Sequence, residues 1–146
     1  MDKSDTLGVG DSASVSKVIK ESDIVQFAEI TGDMNPVHLD EEYASGTPFG
    51  QRIAHGMLSA GLIGAVLAMK LPGLGTIYQE QTLKFLAPVK IGDTVTARVE
   101  VLEIGEKKKS AKLKTTCTNQ EGVVVLDGVA VVRLPRKKRQ QKYNGE

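Results

Sequence analysis

The amino-acid sequence predicts an α+β domain in which an antiparallel sheet wraps around one long apolar helix. A run of small and apolar residues over 57–71 predicts the helix. Four later segments, alternating or rich in β-branched residues and separated by glycine-containing turn signals, predict the sheet. With 146 residues and 40% hydrophobic content, the chain can fill one core but not two, so we expect a single domain over 1–135.

The first part of the chain predicts an edge strand followed by a helix. Residues 15–19 are the expected strand. Ser22 is the expected N-cap of a helix over 23–30, which has one apolar face. Gly32 is a typical helix terminator, so this helix should deliver Asp33 to the start of a loop.

A second, shorter helix is expected over 40–44, with Asp40 as its N-cap. The following segment, 45–50, is rich in serine, glycine, threonine and proline, which predicts turns. Such a segment can form a flexible overhang at the mouth of a pocket.

The helix over 57–71 is closed by Pro72-Gly73 and is too short to span a bilayer. A helix that is apolar all round belongs in a core. Each glycine inside it costs about 1 kcal/mol relative to alanine. We expect close packing of strands to offset that cost, because small side chains let strands approach the helix backbone. The small residues are Gly56, Ser59, Ala60, Gly61, Gly64, Ala65 and Ala68.

Four strands are predicted after this helix. Their ranges are 76–86, 94–104, 110–119 and 123–134. The turn signals between them are Gly92-Asp93, Gly105-Glu106 and 120–122. The lone cysteine, Cys117, lies in the third segment without a base beside it in sequence, so we expect a strand residue and not a nucleophile.

Candidate chemistry centres on Asp33 and His38, which lie five residues apart around Asn35-Pro36. Pro36 fixes its own φ and disfavours the helical region at Asn35, so we expect a bent, rigid loop rather than a regular helix. Such a loop can direct a carboxylate and an imidazole at one water molecule. From the residue types alone, an alternative stays open, in which Asp33 caps a turn and His38 is a structural histidine.

The run 30–44, with Thr31-Gly32-Asp33, Asn35-Pro36 and His38, resembles the signature of the MaoC-like or R-specific enoyl-CoA hydratase family, also called hydratase 2. The likeness covers about 7–135, because 53–58 (IAHGML) resembles the start of the family's central helix and 75–93 resembles its next strands. It implies a hot-dog fold, a curved antiparallel sheet around a long helix. It also implies reversible addition of water to trans-2-enoyl thioesters.

The resemblance further implies roles for individual residues. Asp33 and His38 are the implied catalytic pair, and the Gly56 N–H is the implied oxyanion donor to the thioester carbonyl. A free N–H at a helix start suits that task physically. Asn35 is expected to orient the loop or the water through its amide. His55 is a candidate for contact with the substrate. Without the resemblance, Gly56 simply permits tight helix entry and His55 packs under the loop, and both alternatives stay open.

One position departs from the family pattern. Family members often carry a serine farther along the central helix that supports the catalytic acid, and Gly64 stands at that position here. Ser59, about one turn earlier, or a water molecule is the expected substitute.

The expected activity is (R)-specific enoyl-CoA hydration, or (R)-3-hydroxyacyl-CoA dehydration in the reverse direction. Three alternatives stay open: a 3-hydroxyacyl-acyl-carrier-protein dehydratase of fatty acid synthesis, an acyl-thioesterase, and a non-catalytic acyl-thioester-binding subunit. The expected partner is an acyl-CoA thioester, or an acyl carrier protein with the same pantetheine arm.

We expect no cofactor and no metal, since the sequence lacks phosphate-binding and dinucleotide motifs and its two histidines and one cysteine lack zinc spacing. A net charge of +1 and 4% aromatic content argue against nucleic acid and membrane partners. The N-terminal residues contain no apolar signal segment, so a cytoplasmic location is expected.

The basic segment 136–146 is the expected disordered tail, able to steer an acidic carrier or the phosphates of coenzyme A. The exposed edge of the predicted sheet indicates a homodimer, since edge pairing between two copies protects that edge.

Overall fold

The structure is a computed structural model that describes residues 6–135. The helices in this range are α1 Glu21–Thr31, α2 Pro36–Leu39, α3 Glu41–Ser45 and α4 Gly56–Met69. The strands are β1 Ser12–Val18, β2 Ile77–Gln81, β3 Lys84–Phe85, β4 Thr94–Ile104, β5 Ser110–Thr118 and β6 Val124–Arg133. The predicted basic tail, 136–146, lies outside the described residues. Within 6–135, no helix has the length and apolar character needed to cross a membrane.

The strands form one antiparallel sheet in the order β1-β4-β5-β6-β2, with β3 also paired to β6. Helix α4 contacts β1, β2, β4, β5 and β6, so the sheet wraps around it. The predicted α+β architecture of the hot-dog type is confirmed.

The core lies between one face of α4 and the inward side of the sheet. The buried residues of α4 are Ser59, Ile63, Val66 and Leu67. Every second residue over most of β4 and all of β5 is buried, as expected for strands with one face on a core. The predicted complete burial of the helix is wrong, because Gly61, Ala65 and Ala68 are exposed on its outer side.

The expected reason for the small residues in α4 is also wrong at two positions. A Cβ added at Gly61 would meet nothing within 4 Å, and one added at Gly64 would meet only the Tyr78 ring, at an ordinary 3.5 Å. No strand backbone approaches α4 through these glycines. Gly61 lies instead on the exposed outer side of the helix, and Gly64 faces the Tyr78 ring of β2.

The predicted strand over 76–86 is interrupted after β2, which corrects that prediction. The cause is a close approach between Thr82 and Gly128 of β6. A Cβ at Gly128 would collide with the Thr82 carbonyl, whereas glycine leaves room for it. The Thr82 N–H donates to the Val129 carbonyl, and the Val129 N–H donates to the Thr82 hydroxyl. Pairing with β6 resumes at Lys84. The other three predicted strands match β4, β5 and β6 to within a residue.

The predicted N-cap of α1 is wrong by two residues. Lys20, not Ser22, occupies that position, and its N–H donates to the Asp23 carboxylate at 2.9 Å. Strand β1 begins earlier than predicted, at Ser12, and lies at a sheet edge as expected. Asp40 caps α3 as predicted, accepting the Tyr43 N–H at 3.2 Å.

Candidate active site

The loop between α1 and α2 is braced by its own polar groups. Helix α1 ends at Gly32, whose φ of 80° is a left-handed conformation that favours glycine. The Asp33 N–H donates to the Thr31 hydroxyl at 3.2 Å, and the Asp33 carboxylate accepts the Asn35 N–H at 3.3 Å. The Asn35 side-chain oxygen in turn accepts the Val37 N–H at 3.1 Å. These bonds hold Asp33 at a defined place while leaving it exposed.

The predicted loop does not extend as far as His38, which lies in the one-turn helix α2. Pro36 is the first residue of that helix, where its fixed φ fits and its missing N–H is not needed. Asn35 is therefore the N-cap of α2. Its side chain holds the loop, and Asn35 does not line the cavity described below.

His38 is 9% exposed and is held by backbone contacts. Its Nδ1 lies 2.7 Å from the Ile53 carbonyl oxygen, which can only accept, so Nδ1 carries the proton. In the neutral ring, Nε2 then has a free lone pair. Arg52 fixes the backbone here, because its Nε donates to the His38 carbonyl at 2.8 Å while its Nη1 pairs with Glu21 at 2.6 Å.

His55 lies against His38, with ring centroids 3.8 Å apart and planes 29° from parallel. It is 3% exposed and also contacts the Phe27 ring, at 4.7 Å between centroids. Its Nε2 donates to the Asp33 carbonyl at 3.1 Å, and its buried Nδ1 has no partner among the described residues. Burial lowers the pKa of His55, which keeps the ring neutral.

Asp33, His38 and His55 form a compact group, whose carboxylate and ring nitrogen atoms lie within 4.8 Å of one another. They line a cavity of about 320 Å³. The full lining is Phe27, Thr31, Asp33, His38, His55, Gly56 and Met57. One nitrogen of each imidazole is taken by a backbone carbonyl, and the rings are stacked, so their in-plane lone pairs do not converge on one point. This arrangement suits proton transfer better than metal binding.

Gly56 begins α4 beside this group, with His55 as the N-cap. The first N–H groups of a helix have no intrahelical acceptor, so the Gly56 N–H is available at the cavity wall. Glycine leaves room here for the Phe85 ring, because a Cβ would lie 2.5 Å from Phe85 Cδ1 and the ring would have to move. The sequence offered two interpretations of Gly56, a residue that permits tight helix entry and a free N–H donor, and the two are compatible.

A second, larger cavity of about 470 Å³ adjoins the first and shares Gly56 and Met57 with it. Its wall is mostly apolar. Its other lining residues are Phe49, Ile53, Ala54, Ser59, Phe85, Leu86, Ala87, Pro88, Val89, Val125 and Leu126. The segment 45–50, predicted as a pocket overhang, contributes Phe49 to this wall.

Ser59 does not take over the role expected of the missing helix serine. Its hydroxyl has no partner among the described residues, and it lines the larger cavity rather than the one that holds Asp33. Gly64 faces Tyr78. Thr31 provides the hydroxyl nearest in sequence to Asp33, through the Asp33 N–H.

Sequence reasoning missed three residues that contribute to the site. The Phe27 ring contacts His55, the Thr31 hydroxyl accepts the Asp33 N–H, and Arg52 donates to the His38 carbonyl. Phe27 and Thr31 lie four residues apart, and so on one face, of the helix that leads to Asp33, and this spacing was an available signal. Nothing in the sequence around Arg52 predicts its contact with His38.

Comparison with known proteins finds relatives that match most of this chain. The chain is 53% identical over 131 residues to a 3-hydroxybutyryl-CoA dehydratase of Methylorubrum extorquens, covering 90% of this chain and 83% of the relative. It is 55% identical over 128 residues to an (R)-specific enoyl-CoA hydratase of Rhodospirillum rubrum, covering 88% of each. The solved structure of the R-hydratase PhaJ1 from Pseudomonas aeruginosa superposes with a TM-score of 0.88 at 47% identity, covering 92% of this chain and 86% of that one.

The family model described as "MaoC like domain" matches residues 5–123. That match spans most of the chain and includes the whole α1–α2 loop and α4. The chain therefore belongs to the MaoC-like domain family.

Proposed function

We propose that this chain is an (R)-specific enoyl-CoA hydratase, a hydro-lyase that adds water reversibly to trans-2-enoyl thioesters. The observation that carries the proposal is the convergence of Asp33 and His38 within 4.8 Å, beside the free N–H of Gly56. Hydration needs these parts: a base for water, a donor for the thioester oxygen, and a proton for the α-carbon. The named activities of the relatives from Methylorubrum extorquens and Rhodospirillum rubrum support the same reaction in its two directions.

The thioester carbonyl binds at the start of α4 in this proposal. The Gly56 N–H donates to the carbonyl oxygen, and the positive end of the helix dipole stabilises the negative charge that develops there. This makes the β-carbon more electrophilic. Because the N–H belongs to the backbone of a packed helix, it needs no rearrangement when charge appears.

Water is held between Asp33 and His38. Asp33, as the general base, removes one proton while the oxygen attacks the β-carbon. The α-carbon then receives a proton, either from protonated His38 or as the water-derived proton passed from Asp33 through His38 Nε2, and this completes the addition. In the first case the proton on Asp33 returns to His38, which restores both groups. In dehydration these roles reverse. Asn35 and His55 act as positioning residues, because they contact the loop and the Asp33 backbone rather than the reacting atoms.

The acyl chain occupies the larger cavity, which adjoins the catalytic one at Gly56 and Met57. Its apolar wall suits a hydrocarbon chain, while the thioester head stays at the junction of the two cavities. Coenzyme A is the proposed carrier.

The direct test mixes the purified chain with crotonyl-CoA and follows the ultraviolet absorbance of the conjugated enoyl thioester. We expect the absorbance to fall and chiral chromatography to identify (R)-3-hydroxybutyryl-CoA. A free-thiol assay runs in parallel. Release of coenzyme A thiol without hydration would indicate a thioesterase, and formation of the (S)-product would refute the stereochemical part of the proposal.

We also propose a homodimer. The outer face of α4 is apolar and uncovered by the sheet, with Met57 53% exposed and Met69 63% exposed. An exposed apolar surface of this kind is typical of an interface. Light scattering after size exclusion should give twice the chain mass of 15.7 kDa, and a monomer at assay concentration would contradict the proposal.

A further inference from the structure

Ser59 is an unsatisfied polar group in an otherwise apolar wall. It is 2% exposed, and its hydroxyl has no hydrogen-bond partner among residues 6–135. A helical serine often bonds the carbonyl four residues back, but the Ser59 hydroxyl makes no such bond to the His55 carbonyl. A buried hydroxyl without a partner is unfavourable. Because Ser59 lines the larger cavity, rotation about χ1 can turn its buried hydroxyl toward a partner there.

The depth of Ser59 in that cavity follows from its place on α4. It lies three residues after Gly56, which puts it on the same side of the helix and about 4.5 Å farther along the axis. With a thioester carbonyl on the Gly56 N–H, the acyl carbons beyond the reacting pair pass beside Ser59. A butyryl chain ends near this depth, and a hexanoyl chain continues past it.

We infer that Ser59 is a specificity-determining residue that disfavours acyl chains longer than about four carbons, an inference that rests on the proposed function. A short chain leaves room for water, to which the hydroxyl can turn by rotation about χ1. A longer saturated chain displaces that water and offers no acceptor or donor in its place. The unsatisfied hydroxyl thus opposes the binding of longer chains only.

The test compares dissociation constants for butyryl-CoA and hexanoyl-CoA, which cannot be hydrated, by calorimetry on wild type and Ser59→Ala. We expect Ser59→Ala to shift the ratio of the two constants toward hexanoyl-CoA by about fivefold or more, the effect of removing one buried unsatisfied hydroxyl. An unchanged ratio, or no binding of either thioester, would overturn the inference. Ser22→Ala, in the exposed first turn of α1, is the matched control and should leave the ratio unchanged.

A second pair of variants separates polarity from volume. Threonine and valine have nearly the same shape, so Ser59→Thr and Ser59→Val fill the same space and differ in the hydroxyl. We expect the valine variant to favour hexanoyl-CoA relative to the threonine variant. Equal ratios in the two variants would attribute any shift to volume and refute the role of the hydroxyl.

Hydration of crotonyl-CoA by the same wild-type preparation tests the proposed function separately. Hydration with an unchanged binding ratio would refute only the inference about Ser59. A shifted ratio without hydration would support the assignment of the cavity and of Ser59, and would refute the proposed reaction.

Discussion

The imidazole rings of His38 and His55 stack at 3.8 Å between centroids, and each ring is held by a backbone carbonyl. Two positive charges at that separation would repel strongly, and among residues 6–135 the buried Nδ1 of His55 has no acceptor to stabilise a proton. His55 therefore stays neutral, and its ring packs against the ring of His38. His55 thus affects the site by holding the His38 ring and the Asp33 backbone in place.

The first prediction concerns stability at mildly acidic pH. Burial and the nearby His38 lower the pKa of His55 in the folded chain, below its ordinary value of 6.5. As pH falls below 6.5, the unfolded chain binds a proton at this residue and the folded chain does not, so the free energy of unfolding decreases. Thermal melting of wild type at about pH 7.5 and about pH 5.5 should therefore show a lower midpoint at the acidic value.

The matched variant for this effect is His55→Gln, whose side-chain amide can still donate to the Asp33 carbonyl. Its melting midpoint should change less between the two pH values than that of wild type. An equal change in both proteins would assign the pH dependence to other groups.

The second prediction concerns the general base. Asp33→Asn should lower the rate of crotonyl-CoA hydration by about 10²-fold or more, because the amide cannot remove a proton from water. The melting temperature should hardly change, since Asp33 is exposed and the asparagine oxygen can still accept the Asn35 N–H. Asp127→Asn on β6, outside both cavities, is the control and should retain wild-type activity. Retained activity in Asp33→Asn would exclude Asp33 as the base.

The third prediction concerns Gly56. In Gly56→Ala, the added Cβ would lie about 2.5 Å from Phe85 Cδ1, so the ring must move. Phe85 is 53% exposed and can move outward, so we expect little loss of stability. The displaced wall should misplace the thioester, and kcat/KM should fall by about tenfold or more, because small errors in position are costly for catalysis.

The double variant Gly56→Ala with Phe85→Leu restores space at that wall while keeping the backbone N–H. It should recover part of the lost kcat/KM, as measured with crotonyl-CoA. No recovery would mean that the loss in Gly56→Ala comes from the helix start itself and not from Phe85.

The fourth prediction concerns Cys117, which is fully buried in β5 and donates its thiol to the Ser59 carbonyl at 3.5 Å. Burial raises the pKa of this thiol to about 12, so almost no reactive thiolate forms at neutral pH. Iodoacetamide should leave the native chain unmodified by mass spectrometry and fully active, and should modify it in urea. Alkylation of the native chain with loss of activity would contradict this expectation.

Strands β4, β5 and β6 were predictable from the sequence because their signals are local. Alternating apolar residues or runs of β-branched residues, with turn signals between them, define such strands without information from elsewhere. The break between β2 and β3 was not predictable, because it depends on the fit of Thr82 over Gly128, a residue distant in sequence. The buried side of α4 was equally hidden, since a helix that is apolar all round carries no pattern that distinguishes an inner face from an outer one.

The same distinction holds for the site. Asp33, Asn35 and His38 belong to one short segment, so their proximity could be expected from Pro36 and Gly32 alone. The contact of Arg52 with the His38 carbonyl and the stacking of His55 on His38 join segments that only the fold brings together. The catalytic roles assigned to these residues stay predictions.

The hydrogen bonds within the α1–α2 loop make the positions of the acid and the base largely independent of the shape of the larger cavity. The loop is held by local hydrogen bonds among Thr31, Asp33 and Asn35, and it contributes no residue to the wall of the larger cavity. Substitutions in the part of that wall that lies away from Ile53, Gly56 and Phe85 can therefore accumulate without moving the acid and the base. A protein built this way can acquire a new substrate range through neutral intermediates, each of which still turns over the original substrate.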